Sequence, residues 1–311
     1  MVTDVCKDKI ELTMSLDQIN QFKKRDFKTL ARTISYIENE TGDHESILKN
    51  LAPSPAKIIG ITGAPGSGKS SLADALIGEM INDKKKVGVL CVDPSSPFNR
   101  GALLGDRIRM SEWYNDPNVF IRSLASKGSL GGLHPKIIEI TEVMKGAGFD
   151  YIIIETVGVG QSEVDIAALA DITIVTLVPE GGDIIQTMKA GVMEVADIFV
   201  INKYDRPGAE NFYNNLKQML APVYRHSQKE IPVLKTIASQ KEGINELYKI
   251  ISSWQFDIES VKKIELLADR ALLIIQGKKM KEINRDELKK ELSVASVKPG
   301  FNIYNFAEKY F

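Results

Sequence analysis

Gly63-Ala64-Pro65-Gly66-Ser67-Gly68-Lys69-Ser70 is the stretch that decides how this chain folds. It has the Gly-x4-Gly-Lys-Ser spacing of a phosphate-binding loop, and it follows the β-type run Ile58-Ile59-Gly60-Ile61. Such a loop needs a strand before it and a helix after it. The glycines let backbone N–H groups converge on phosphate oxygens with no Cβ in the way. The helix start adds its own N–H groups and the positive end of its dipole. In that setting Lys69 bridges the β- and γ-phosphates, and Ser70 gives its hydroxyl to Mg2+. Ser71, the next residue, completes the nucleotide-binding set at this end.

Outward from the loop, apolar runs of strand length recur at 57–62, 87–92, 118–122, 151–155, 172–178, 198–202 and 231–237, with helical stretches between them. Their near-continuous Ile/Val content suits strands buried on both faces, which predicts a doubly wound α/β core with a mostly parallel sheet. Ligand loops then belong at the carboxyl ends of the strands. Three acids lie at or near such ends. Asp93 closes the second run, Asp106 follows in a Gly/Pro-punctuated loop, and Glu155 closes the fourth. Glu155 is the Walker-B-type carboxylate of this reading. Asp93 and Asp106 serve the metal or its waters, and Asp93 joins Lys69 among the catalytic groups. In Glu155-Thr156-Val157-Gly158, Gly158 can turn its N–H to the γ-phosphate, whose loss would release the loop.

Asn202-Lys203-Tyr204-Asp205 ends the sixth run. A carboxylate only accepts hydrogen bonds. Guanine offers Asp205 two N–H donors where adenine presents an acceptor, so the wrong base would leave a buried acceptor unpaired. Lys203 can lie along the base and Asn202 can tie the loop together. Thr236-Ile237-Ala238-Ser239 ends the last run, and the Ala238 backbone, with Ser239 beside it, is set to meet guanine O6. The expected ligands are GTP or GDP with Mg2+.

The bulk numbers exclude other classes. Net charge is −1 over 311 residues, so no global positive field favours nucleic acid or an anionic membrane. No apolar run approaches the roughly 20 residues of a membrane span. The two cysteines, Cys6 and Cys91, form no disulfide framework or metal clip. With a polar start lacking signal-peptide character, they suit a cytoplasmic protein. The histidines His44, His134 and His226 are scattered, which disfavours metal delivery, and Ala64 stands where some related ATPases carry a second lysine. The expected organisation is an N-terminal helical segment, 1–52, a phosphate-loop domain, 53–255, and a C-terminal helical arm, 256–311. Ile264, Leu267, Ala268, Ala271, Leu272 and Ile275 mark one face of a long helix in that arm. The aromatic tail Phe301, Tyr304, Phe306, Tyr310 and Phe311 either packs back on the protein or meets a partner.

The stretches GAPGSGKS, VDPSSPFNRGALLGDRIRM, ETVGVGQSEVDIA, PEGGDIIQTMKAG and NKYD resemble the MeaB/MMAA-type G proteins, from about Phe27 to the C-terminus. The resemblance implies a GTPase that chaperones adenosylcobalamin-dependent methylmalonyl-CoA mutase, gating cofactor loading and protecting the enzyme. It implies a homodimer built through the C-terminal helices, giving the arm its role. It assigns a phosphate-sensing role to Arg109, and a coupling role to Lys189 in a third switch loop over 178–189. Where the family loop has a small residue after Pro179, this chain has Glu180. The residues show no strong base, so slow intrinsic hydrolysis accelerated by a partner is expected. A kinase, as an older family name suggests, or a chaperone of another acyl-CoA mutase stand as alternatives.

Overall fold

The computed structural model describes residues 26–93, 110–126, 133–156, 162–180, 195–227, 230–255, 261–280, 283–297 and 300–310. All seven expected strands are present: β1 Lys57–Thr62, β2 Val87–Asp93, β3 Val119–Ala125, β4 Tyr151–Glu155, β5 Ile172–Leu177, β6 Ile198–Ile201 and β7 Val233–Lys235. They form one sheet in the order β3-β2-β4-β1-β5-β6-β7. Every pairing in it is parallel. Residues of β1, β2, β4, β5 and β6 are buried almost without exception, as β-branched runs covered on both faces should be. The central strand is β1, so the loop that follows it emerges from the middle of the sheet.

Helices cover both faces. On one, α3 (Lys69–Asn82) and α7 (Ile244–Ser253) bury Leu72, Leu76, Met80, Ile244, Leu247 and Ile251 against Ile59, Ile61, Val89 and Ile153. Each fully buried Leu or Ile contributes about 1.5–3 kcal/mol of apolar transfer. Elsewhere α6 (Ala209–Ser227) buries Leu216 and Leu220 against Val175, Leu177, Phe199 and Ile201. Between β3 and β4 lies α4 (Ile137–Gly146), and between β4 and β5, α5 (Ser162–Leu169) packs on β1, with Ile166 fully buried.

Within the expected N-terminal segment, the described residues from 26 onward form two helices. The first helix, α1 (Phe27–Asn39), is capped by the Asp26 carboxylate, which accepts from Lys28 N–H, and it buries Leu30, Ile34 and Ile37. A short α2 (His44–Lys49) follows. The Arg122 guanidinium of β3 donates to Glu38 at 2.6 Å and to the Ser35 hydroxyl at 3.0 Å, tying α1 to the sheet's edge. Cys91 is a buried residue of β2.

The chain divides into two compact units, Met1–Ile258 and Glu259–Phe311. The second contains α8 (Val261–Lys279), α9 (Arg285–Ala295) and α10 (Ile303–Ala307). Helix α8 carries the anticipated apolar residues, and Ile264, Leu267, Leu272 and Ile275 are all exposed in the single chain. Within this unit the tail aromatics pack on one another: Phe301 meets Phe306 at 6.2 Å and Phe306 meets Tyr310 at 5.9 Å. The Tyr310 hydroxyl donates to Glu291 of α9 at 2.9 Å.

Candidate functional site

The loop after β1 is shaped by two glycines that no other residue could replace without displacement. Gly63 has φ +141°, and a Cβ there would stand 2.2 Å from the Thr176 carbonyl oxygen. Gly68 has φ +90° and a Cβ would stand 2.2 Å from Asn202 Nδ2. Both φ values lie in the region that favours glycine. Between them Ser67 N–H donates to the Ala64 carbonyl at 3.1 Å, closing the loop, and Lys69 opens α3. Pro65 and Gly66 complete its turn.

The Lys69 ammonium folds back over this loop and donates to the carbonyls of Gly63 at 3.0 Å and Ala64 at 3.2 Å. The positive end of α3 and the Lys69 charge thus converge on one small volume, which is what an anion requires. Lys69 and Ser70 are 7% and 4% exposed, so their electrostatics act with little water between.

Two of the expected metal residues meet directly. The Ser70 hydroxyl donates to Glu155 Oε1 at 2.7 Å. Asp93, 3% exposed, ends β2, the strand beside β4. A buried hydroxyl with carboxylates at neighbouring strand ends is a hard-oxygen donor set, and it fits Mg2+ in chemistry. Next to Glu155, Thr156 Oγ1 donates to Thr62 Oγ1 at 2.9 Å, linking the ends of β4 and β1. Sequence reasoning missed this pair; its signal was a Thr at the end of each strand. Asp106, Arg109, Gly158 and Lys189 lie outside the described residues.

Asn202 joins the phosphate end to the base end. Its Nδ2 donates to the Ser67 carbonyl at 2.9 Å. Its Oδ1 accepts from Ala238 N–H at 3.0 Å and from the Thr236 hydroxyl at 3.2 Å. Asn202 is 2% exposed, so each of these bonds would leave a buried group unpaired if lost. Lys203 takes φ +54°, and Tyr204 N–H donates to the Thr236 carbonyl at 3.1 Å. Asp205 then stands exposed at the turn, where it can face a base. The Ala238 N–H that was expected to meet guanine O6 is bonded to Asn202, Ala238 itself is buried, and Ser239 is exposed. Ser71 is half-buried in the first turn of α3.

A match to the family described as "Methylmalonyl Co-A mutase-associated GTPase MeaB" spans residues 30–295. The chain belongs to the MeaB family. A Pyrococcus abyssi relative is 47% identical over 235 residues, covering 74% of this chain and 72% of that one. The Escherichia coli protein named "GTPase ArgK" is 35% identical over 247 residues, 76% of this chain and 74% of that one. A Geobacillus kaustophilus protein named "Fused isobutyryl-CoA mutase" is 33% identical over 280 residues, which cover 82% of this chain and 26% of that protein. Among solved structures, that of a protein called "LAO/AO transport system kinase" superposes with a TM-score of 0.61 at 25% identity, covering 90% of each chain. The phosphate loop, the buried Ser70–Glu155 pair and the Asn202 bridge all lie within the residues that match the family.

Among the described residues, no helix is long and apolar enough to cross a membrane.

Proposed function

We propose that this chain is a GTP-binding and GTP-hydrolysing chaperone that gates adenosylcobalamin loading and protection of methylmalonyl-CoA mutase, working as a cytoplasmic homodimer. The observation that carries the reading is the Asn202 bridge. One buried side chain touches the phosphate loop at Ser67 and the base loop at Thr236 and Ala238, so the two halves of a guanine nucleotide are read by one rigid unit. A partner that alters either end alters both, which suits a switch more than a simple hydrolase.

At the phosphate end, Lys69 neutralises charge and the loop amides hold oxygens in place. Ser70, Glu155 and Asp93 would hold Mg2+, which when bound offsets the charge on the β- and γ-phosphates. These residues position and neutralise; they do not form a proton-abstracting pair. Intrinsic turnover is therefore slow, and the mutase accelerates it by ordering the surrounding loops. In this reading Arg109 senses phosphate, Gly158 meets the γ-phosphate and Lys189 couples the nucleotide to the client.

The family description supports a methylmalonyl-CoA mutase client. The relative named a fused isobutyryl-CoA mutase supports the broader class of acyl-CoA mutases, and a client of that second type is the alternative. The deciding experiment measures phosphate release from GTP with and without each apo-mutase, alongside nucleotide-dependent co-purification. Acceleration by one mutase identifies the client. Equal rates with both and without either would remove the chaperone reading. Transfer of the γ-phosphate to an acceptor instead of water would favour a kinase, the activity that the name of the structurally similar protein gives to that protein.

A further inference from the structure

The third residue of Asn202-Lys203-Tyr204-Asp205 carries the least obvious chemistry of the four, yet it is the best anchored on the outer side of the site. The Tyr204 hydroxyl donates to Glu210 Oε2 at 2.6 Å, in the first turn of α6. The Lys235 ammonium, at the end of β7, donates to the same oxygen at 3.0 Å. That ammonium stands 4.7 Å from the centroid of the Tyr204 ring and 4.2 Å from that of Tyr213. The two rings meet edge to face, 6.4 Å apart at 88°. Tyr204 also packs against the apolar cluster beneath α6. On its backbone side, Tyr204 N–H donates to the Thr236 carbonyl, one residue after Lys235.

Lys203 and Asp205, the two residues suited to read a base, flank Tyr204 on either side. Asp205 is exposed at the turn. Lys203 holds a left-handed φ that costs a non-glycine residue of the order of 1–2 kcal/mol, so something must hold the turn in place. The anchored Tyr204 side chain sits between these two residues. Burial raises the Tyr204 hydroxyl above its ordinary pKa, and its donation to Glu210 holds that carboxyl below the usual range, so the bond joins a neutral donor to an ionised acceptor near neutral pH.

We infer that Tyr204, held by Glu210 and Lys235, is a positioning residue that aims Asp205 at the N1–H and 2-amino donors of a guanine base. The inference deepens the reading of this site as a guanine-nucleotide site and rests on it. A hydrogen bond weakens steeply with misalignment, so loosening this anchor costs recognition of the guanine edge while the phosphate grip is untouched.

The test uses the full chain with Mg2+ and measures dissociation constants for GDP, inosine diphosphate, ADP and inorganic tripolyphosphate. Inosine diphosphate lacks the 2-amino group, so the GDP-to-inosine ratio reads how well Asp205 is aimed. Tyr204→Phe and Lys235→Met are expected to narrow that ratio roughly five- to tenfold, about the value of one hydrogen bond. Tripolyphosphate binding stays within twofold in both, and Lys235→Arg, which keeps the charge over the rings, restores the ratio. A lowered unfolding midpoint with the ratio unchanged would make the cluster merely structural and overturn the inference. So would variants that change neither quantity. If the unaltered chain fails to prefer GDP to ADP, the guanine reading falls first and takes the inference with it.

Discussion

Ser70 Oγ donates to Glu155 Oε1 across 2.7 Å, and this single contact joins the first turn of α3 to the carboxyl end of β4. Both residues are 4% exposed. A buried serine hydroxyl and carboxylate in direct contact are hard oxygen donors of the kind that suit Mg2+. Ser70→Ala removes the hydroxyl, and Glu155→Gln removes the charge while keeping an acceptor for Ser70. Both variants are expected to lose Mg2+-dependent GTP turnover on the order of 10²-fold, the scale of losing one electrostatic group at a transition state. Binding of GTP in the presence of a chelator should change little. Phosphate release followed against Mg2+ concentration checks this, and an unchanged Mg2+ dependence in Ser70→Ala would remove the pair from cation binding.

Asn202 makes a different prediction, because its two ends do different things. Asn202→Ala leaves the Ser67 carbonyl, the Ala238 N–H and the Thr236 hydroxyl without it. Each buried group left unpaired costs about 1–3 kcal/mol, so a clear fall in the urea midpoint is expected. Asn202→Asp keeps an acceptor for Ala238 and Thr236 but sets a carboxylate oxygen against the Ser67 carbonyl. It should therefore unsettle the phosphate loop more than the base loop. GDP affinity in Asn202→Asp should fall at least as far as in Asn202→Ala. The reverse order would show that the link to Ser67 does not matter for binding.

Asp74 on α3 accepts from Trp113 Nε1 at 2.7 Å. Burial pushes the Asp74 carboxyl above its ordinary value, and the indole N–H only partly offsets it. A carboxyl raised in the folded state stabilises the fold while protonated. That contribution is complete below its unfolded value near pH 4 and fades as pH rises through the raised value. Asp74→Asn keeps the acceptor for Trp113 and cannot ionise. Its stability relative to the unaltered chain should therefore improve from pH 4 to pH 7. Asp74→Ala instead leaves a nearly buried indole N–H unpaired, at about 1–3 kcal/mol. Urea unfolding followed by Trp fluorescence at the two pH values reads both. A stability gap for Asp74→Asn that does not move with pH would refute the assignment.

Strand existence is legible in the sequence because the runs are rich in apolar and β-branched residues, five of them buried almost throughout, and a parallel sheet leaves such runs little freedom. Strand ends are less so. The third run reads as stopping at residue 122, yet β3 continues to Ala125, because Ser123, Leu124 and Ala125 pair in register with Cys91, Val92 and Asp93. The last run reads as 231–237, but only Val233–Lys235 is strand, since β6 offers just Phe199, Val200 and Ile201 as partners. Partner length sets those limits, and no local pattern records it. The same holds at the site. The loop glycines and the link through Asn202 follow from spacing. The Tyr204, Glu210 and Lys235 cluster does not, because it exists only once the β6–β7 register sets Lys235 opposite Ile201.

The second unit supplies the last prediction. Along α8, Ile264, Leu267 and Ile275 are spaced to share one flank, with Leu272 beside them, and these four side chains are between 51% and 61% exposed in the single chain. A row of large apolar side chains left in water is unfavourable by about 25 cal/mol for each Å² that could be covered. Patches of this kind mark contact surfaces, and a second copy presenting the same helix offers a self-complementary cover. Leu267→Glu and Ile275→Lys place a charge in that flank. If the flank joins two copies, each variant shifts the mass measured by light scattering from dimer toward monomer, and each leaves GDP affinity unchanged because the residues proposed for the nucleotide site belong to the first unit. The pair combined should recover some dimer, since opposite charges then face each other across a two-fold contact. A chain that is monomeric before any substitution, at micromolar concentration, would remove the homodimer.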